Sequence, residues 1–194
     1  MDYLSAFIEN QVDIDTKDKT IITNLFTKKH YQKGTEFHSF DEISDTFFYL
    51  ASGSARSYTI TEVGKEITLS VHHHSSDEKL YFFMGDYISY LDQSRSPIIC
   101  ETLSDCVIYV ANYTDLSKLY ETSFKWMKVG KYISDYLLVQ VSKLARETRN
   151  LNASQKYAYI KNISPIYEEV LTDYQLASML GITPQSFSRI KNKQ

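Results

Sequence analysis

The pattern of hydrophobic and polar residues divides the chain into two successive regions. From Lys33 to Tyr113, short β-branched and aromatic runs alternate with turn residues, as in TFFYLASGSARSYTI, KEITLSV and PIICETLSDCVIYVA. Four glycines punctuate this region, and no helical period persists in it. The pattern predicts an all-β roll or barrel of roughly eight short strands.

A helical period replaces this alternation beyond Asp115. Apolar or small residues recur at spacings of three and four, which predicts a long helix over about residues 122–148. The stripe consists of Trp126, Gly130, Ile133, Leu137, Val141 and Leu144. It can pack on the β-roll, or pair in parallel with the same helix of a second chain, with Gly130 allowing close approach. Of these two alternatives we favour pairing.

The C-terminal segment TDYQLASMLGITPQSFSRIKNKQ predicts two short helices joined by a tight turn. Thr172 and Gln175 have the spacing of a capping box, and Gly181 has the position of a left-handed cap. Thr183 caps the second helix, with Pro184 at its first position. The apolar residues fall where a helix-turn-helix needs them, at Leu176, Leu180, Ile182, Phe187 and Ile190, with the small Ala177 at the helix crossing.

The exposed face of the second helix carries basic, amide and hydroxyl side chains and no acid. An ordinary helical hairpin explains the caps and the apolar positions equally well, but it does not explain this face. We therefore expect DNA binding, with Arg189 reading guanine and Gln185 reading adenine. Thr183, Ser186 and Lys191 are the expected phosphate contacts.

Composition is that of a globular protein. The 194 residues, of 22.5 kDa, are 43% hydrophobic and 23% charged, which excludes a disordered chain. No apolar run reaches the ~18 residues of a membrane helix, and the N-terminus lacks the basic residues of a signal peptide. Two cysteines, Cys100 and Cys106, are too few for a disulfide scaffold. We expect a cytoplasmic protein without a membrane partner.

Charge is distributed unevenly along the chain. The net charge is −3, but residues 143–194 hold eight basic and four acidic residues, a net +4. The first 142 residues hold 13 basic and 20 acidic residues, a net −7. A basic tail on an acidic body indicates an anionic partner for the tail, in agreement with the helix-turn-helix pattern.

A β-roll, a long helix and a terminal helix-turn-helix in this order resemble the Crp/Fnr family of bacterial transcription regulators. The resemblance covers about residues 30–194 and is strongest in GKEITLS and LTDYQLASMLGITPQSFSRI. The short C-terminal form is similar to family members of the Bacteroidetes. The resemblance implies a homodimer paired through the helix around Trp126–Leu144, which binds nearly palindromic double-stranded DNA. RNA polymerase and an unidentified small-molecule effector are further expected partners.

Two departures from the family pattern concern DNA. The family often reads its site with an Arg and a Glu near the start of the recognition helix. Here Pro184 and Gln185 stand there and only Arg189 is kept, so the usual target site is not expected. No sequence follows Gln194, so we also expect the β-hairpin wing of the family to be missing, with weaker or more dimer-dependent DNA binding.

A third departure concerns the effector. Members that bind cyclic nucleotides carry Gly-Glu-Leu for the ribose, then Arg-Ser or Arg-Thr for the phosphate, completed by short-helix amides. Here Ser89 and Tyr90 replace the Gly and Glu, followed by Arg95 and Ser96 in a shortened segment. We expect any effector to meet these four residues, with Arg95 favoured as a solvated surface charge. Cyclic AMP or GMP is not expected as the ligand, and the sequence identifies no cofactor.

A histidine cluster offers an alternative function. HHHSSDEKLYFFMG matches the first metal-binding motif of cupins, with His72, His74 and Glu78 as ligands for iron, manganese or zinc. The second cupin motif is absent, because no histidine follows His74, and we expect the cluster to be a solvated insertion after the strand KEITLSV. The alternative is a cupin-like metal-binding protein or enzyme with a non-functional tail. No other catalytic motif occurs, so we expect no enzyme.

The resemblance implies an α+β architecture with three parts, in which the roll is an antiparallel double-stranded β-helix like that of cyclic-nucleotide-binding domains. Residues 1–118 form the β-roll sensory domain, residues 119–150 the long linker and dimerisation helix, and residues 151–194 the helix-turn-helix domain.

Overall fold

The computed structural model describes residues 2–9, 12–38, 40–73 and 83–193. It contains a β-roll of two four-stranded antiparallel sheets, followed by a long helix and a small helical unit, which confirms the predicted α+β fold. The strands are β1 (Thr27–Tyr31), β2 (Glu36–His38), β3 (Thr46–Ser52), β4 (Ser54–Ile60), β5 (Glu66–His73), β6 (Phe83–Met84), β7 (Ile99–Thr102) and β8 (Cys106–Asn112).

Among the described residues, two helices precede the roll, one lies between β6 and β7, and the others follow β8. They are α1 (Asp2–Glu9), α2 (Thr16–Leu25), α3 (Tyr87–Asp92), α4 (Tyr113–Thr122), α5 (Phe124–Thr148), α6 (Ala153–Ile163), α7 (Tyr167–Val170), α8 (Asp173–Met179) and α9 (Pro184–Lys191). The long helix α5 has 25 residues and begins at a Ser123 cap, whose hydroxyl accepts from the Trp126 amide.

The two sheets have the strand orders β1-β8-β3-β6 and β2-β7-β4-β5, so β5 is an edge strand. The turn between β3 and β4 needs Gly53, whose φ is +90°. A Cβ at this position would lie 2.4 Å from the carbonyl oxygen of Asp105, in the turn between β7 and β8. The close approach of these two turns therefore also requires glycine.

Three hydrophobic clusters form the interior. One lies between the sheets, around Leu50, Ile108 and Met84. A second lies between the outer face of the first sheet and helices α1, α2, α4 and α5. The third belongs to the C-terminal helices but includes Val71 of β5, so the helical unit and the roll share a core.

The long stripe of α5 divides into two halves. Trp126, Val129 and Gly130 are buried in the second cluster, and Ile133 and Leu137 pack against it. Further along the helix, Leu138, Val141 and Leu144 are exposed. The first half thus packs on the chain's own β-roll, and the second half presents an apolar surface that the described residues leave exposed.

Gly130 serves an intramolecular contact. A Cβ there would lie 2.9 Å from the ring of Tyr120, so the glycine lets α4 approach α5 within one chain. The expectation that Gly130 allows a second chain to approach closely differs from this arrangement. Apolar spacing within α5 alone does not distinguish the two contacts.

Candidate DNA interface and effector region

The helix-turn-helix is built by the caps that its sequence predicts. The Gln175 amide donates to the Thr172 hydroxyl at 3.2 Å, and the Gln175 side chain accepts from the Thr172 amide at 2.9 Å. Gly181 has a φ of +71°, and the Ile182 amide donates to the Ala177 carbonyl at 3.0 Å, which closes the turn.

Helix α9 is held by one aromatic contact. Phe187 is 0% exposed and packs edge-on against Tyr157 of α6, with ring centroids 5.0 Å apart. Leu176 and Ala177 of α8 are buried beside it. This packing fixes which side of α9 faces outward.

The outward side of α9 presents most of the residues expected to meet DNA. Gln185 and Arg189 are exposed, and no described hydrogen bond or ion pair occupies the Arg189 guanidinium. Thr183 caps the helix by accepting from the Ser186 amide at 3.2 Å. Lys191 is exposed but pairs with Asp173 at 2.7 Å, so its charge is partly neutralised within the helix-turn-helix.

Helix α8 lies against the edge strand of the β-roll. The Ser178 hydroxyl accepts from the Thr68 amide and donates to the Thr68 hydroxyl, both at 2.9 Å, and both residues are buried. Nearby, His73 of β5 contacts the Ser164 hydroxyl at 3.0 Å, and the Tyr167 hydroxyl donates to the Val71 carbonyl. The sequence did not predict the contact between Ser178 and Thr68, because a serine that packs against an edge strand leaves no repeating pattern in the sequence.

Asp86 organises the segment expected to meet the effector. Its carboxylate caps α3 by accepting from the Ser89 amide at 3.1 Å, and accepts from the Ser96 hydroxyl at 2.8 Å. The Ser89 hydroxyl donates to the Ser94 carbonyl and accepts from the Ser44 amide. The carboxylate and the two expected serines are thus buried and satisfied by one another. Asp86 was not foreseen, although an Asp three residues before Ser89 is a recognisable cap signal.

Arg95 and Tyr90 point to other neighbours. Arg95 is 70% exposed and pairs with Asp41 at 2.5 Å on the surface. Tyr90 stacks on Tyr113 with centroids 5.2 Å apart, and its hydroxyl lies 3.3 Å from that of Ser117. The four expected effector residues therefore do not converge on one open space.

The β-roll matches a known family. Residues 28–123 match the family profile described as the cyclic nucleotide-binding domain. The name refers to the family and not to a ligand of this chain. A comparison with curated protein sequences found no match.

Solved structures extend the likeness beyond the cyclic nucleotide-binding domain. CLP, the c-di-GMP-responsive global regulator of Xanthomonas campestris, has a TM-score of 0.65 at 16% identity, covering 92% of this chain and 91% of that one. FixK2 from Bradyrhizobium japonicum has a TM-score of 0.66 at 14% identity, covering 87% and 83%. A Eubacterium rectale protein assigned to the Crp/Fnr family has a TM-score of 0.65 at 17% identity, covering 93% and 83%. The resemblance to Crp/Fnr regulators is confirmed in fold.

Two histidines of the cyclic nucleotide-binding domain lie in strand β5. The expectation that they form a solvated insertion is wrong, because His72 and His73 continue the ladder with β4 and are buried. His72 Nε2 lies 2.9 Å from the hydroxyls of both Ser57 and Ser70. His74 and Glu78 lie outside the described residues. Within the described ranges, no three His, Cys, Asp or Glu side chains are grouped to hold a metal.

The interior of the cyclic nucleotide-binding domain also disfavours thiol chemistry. Burial raises the pKa of the Cys100 thiol to about 12, and burial likewise raises the pKa of Cys106. Both thiols therefore stay protonated near neutral pH. No helix in the described part of the chain has the length and apolar character needed to cross a membrane.

His38 gives the domain a testable pH dependence. Burial lowers the pKa of His38, which outweighs the opposing attraction of Asp86 and Glu42. The unfolded chain therefore takes up a proton near its ordinary pKa of about 6.5, which the folded chain resists. We expect the free energy of unfolding to fall as the pH drops below about 6.5, and to fall less steeply in His38→Gln. Urea unfolding at several pH values measures the free energy of unfolding of wild type and of His38→Gln. The same dependence on pH in the two proteins would contradict the prediction.

Proposed function

We propose that the protein is a sequence-specific, DNA-binding transcription regulator that acts as a homodimer in the cytoplasm. The observation that carries the proposal is α9: a capped helix anchored by Phe187, with Gln185 and Arg189 exposed on its outer side. A basic, amide-rich helix of this kind fits the major groove. Arg189 would read guanine, Gln185 adenine, and Thr183, Ser186 and Lys191 would contact phosphates.

The exposed half of α5 supports the homodimer. Leu138, Val141 and Leu144 are about 66%, 63% and 47% exposed in the single chain, on a helix about 37 Å long. An exposed apolar seam along a helix is the kind of surface that parallel helix pairing buries. The pair would place two recognition helices about one DNA turn, 34–36 Å, apart.

We also propose that the cyclic nucleotide-binding domain does not take cyclic AMP or GMP. The Asp86 carboxylate, which is buried, occupies the hydrogen-bonding capacity of Ser96 and of the Ser89 amide. A buried carboxylate repels a phosphate, and the nearby Arg95 turns outward to Asp41. Any effector of this domain would shift α5 and so reset the spacing of the recognition helices.

Arg189→Ala tests the proposed DNA readout. We expect the variant to lose about 10- to 100-fold in affinity for its best genomic site, because a bidentate guanine contact is worth about 1–3 kcal/mol. Selection of genomic fragments by the purified protein, followed by titration of the enriched site, measures the change. The wild-type affinity should also fall steeply with salt, since phosphate contacts release counterions.

Arg95→Ala is the matched control. It removes the same charge from a surface arginine of the β-roll, outside α9, and should leave the DNA affinity unchanged. Equal affinities for wild type and Arg189→Ala, or equal losses in both variants, would overturn the proposed readout.

A further inference from the structure

A cavity of about 230 Å³ lies outside the β-roll, between its first sheet and helices α1, α2, α4 and α5. Side chains in protein interiors rarely leave a space this much larger than a water molecule. The walls come from five helices and three segments of the roll, including Ile22, Phe47, Trp126, Val129 and Gly130. Asp86, Ser89, Arg95 and Ser96 are not among its lining residues.

The chemistry of the walls restricts what the cavity can accept. All of its lining residues are apolar or aromatic except Ser117 and Ser134, so no charged side chain among the described residues faces it. Burial raises the pKa of the lining Tyr120 to about 12, which keeps its hydroxyl neutral. Lys125, which precedes the lining residue Trp126, is paired with Asp18 at 2.5 Å. A carboxylate or phosphate would therefore lose its hydration without gaining a counter-charge.

The exposed part of the lining is more polar than the buried part. The inner wall is formed by buried apolar residues such as Leu4, Ile22 and Trp126. The hydroxyl-bearing residues Tyr87, Ser117 and Ser134 are exposed or half-buried and mark the mouth. A molecule that enters would place its apolar part inside and a hydrogen-bonding group at the mouth.

We propose that this cavity is a binding site for a neutral, mostly apolar small molecule with one terminal hydrogen-bonding group, such as an alcohol. A cavity of 150 Å³ accommodates benzene, so 230 Å³ fits about nine or ten non-hydrogen atoms. The floor of the site is the first half of α5, whose second half carries the proposed dimer surface. The ligand site does not depend on the proposed function. Only an effect of the ligand on DNA binding would rest on that function.

Two probes of equal chain length test the charge requirement on the full-length protein. 1-Octanol is neutral, octanoate is anionic, and neither absorbs where tryptophan is excited. Trp126 is the only tryptophan of the chain and lines the cavity, so its fluorescence reports occupancy. We expect a saturable change with octanol and binding at least about tenfold weaker with octanoate, because burying a charge without a partner is costly. Absence of saturable octanol binding, or octanoate binding as tightly, overturns the proposal.

Variants locate the binding. Val129→Phe fills the cavity and should abolish octanol binding, and Ser117→Phe should obstruct the mouth and weaken it at least about tenfold. Val139→Phe makes the same change on the exposed side of α5, away from the cavity, and should bind as wild type. Circular dichroism establishes that each variant is folded. A folded Val129→Phe or Ser117→Phe protein that binds octanol like wild type overturns the site. The comparison of octanol with octanoate on wild type is decisive even where a variant does not fold.

Discussion

Phe187→Ala is expected to destabilise the C-terminal helical unit by about 3–5 kcal/mol, the usual effect of removing a fully buried phenyl ring. Phe187 is 0% exposed and is the contact of α9 with Tyr157 of α6. The cluster around it is small, so few neighbours can close the space that the ring leaves. Because this packing also sets the outward face of α9, DNA affinity should fall with stability. Urea unfolding followed by circular dichroism measures the first effect, and titration of the enriched site the second.

Phe124→Ala is the control for this prediction. Phe124 is 69% exposed at the start of α5, so its truncation should change the free energy of unfolding by no more than about 0.5 kcal/mol. If Phe187→Ala unfolds at the same urea concentration as Phe124→Ala, the described packing of α9 is wrong.

Leu138→Glu is expected to convert the proposed homodimer into a monomer. Leu138 is 66% exposed in the single chain and lies on the second half of α5, where Val141 and Leu144 are also exposed. A carboxylate buried in a symmetric helix pair would face its own copy without a counter-charge. Loss of the second half-site contact should lower DNA affinity by about 10²–10⁴-fold. Sedimentation equilibrium measures the mass, and fluorescence anisotropy with the enriched site measures the affinity.

Val139→Glu provides the matched comparison. Val139 is 60% exposed and lies about 200° around the helix from Val141, so it points away from the proposed dimer surface. We expect this variant to remain dimeric. A dimeric Leu138→Glu protein, or equal dissociation of both variants, would argue against pairing through this face.

The sequence predicted those parts of the fold that rest on local signals. The capping box of Thr172, the left-handed Gly181 and the helical stripe from Trp126 each have a local physical cause, and all three recur in the structure. The start of α5 at Phe124 and its end at Thr148 lie within two residues of the prediction. Strand β1 was missed because its residues, TKKHY, are exposed and polar and carry no alternation.

Contacts between distant segments could not be predicted in the same way. The pairing of Asp86 with Ser96, and that of Ser178 with Thr68, depend on how the chain folds back. His72 and His73 were misplaced because histidine carries little strand preference, whereas their ladder with β4 decides their position. The large cavity beside α5 likewise arises from the shapes of five helices together.

The contact between α8 and β5 has a consequence for colloidal behaviour. An edge strand offers unpaired amide groups to any other chain, and β5 ends its sheet. Here the Ser178 hydroxyl accepts a hydrogen bond from the Thr68 amide, and the hydrophobic cluster of the C-terminal helices covers Val71. Removing residues 151–194 would uncover both and leave a template for strand addition. The helix-turn-helix unit therefore also protects the β-roll against aggregation, and we expect the β-roll expressed alone to self-associate.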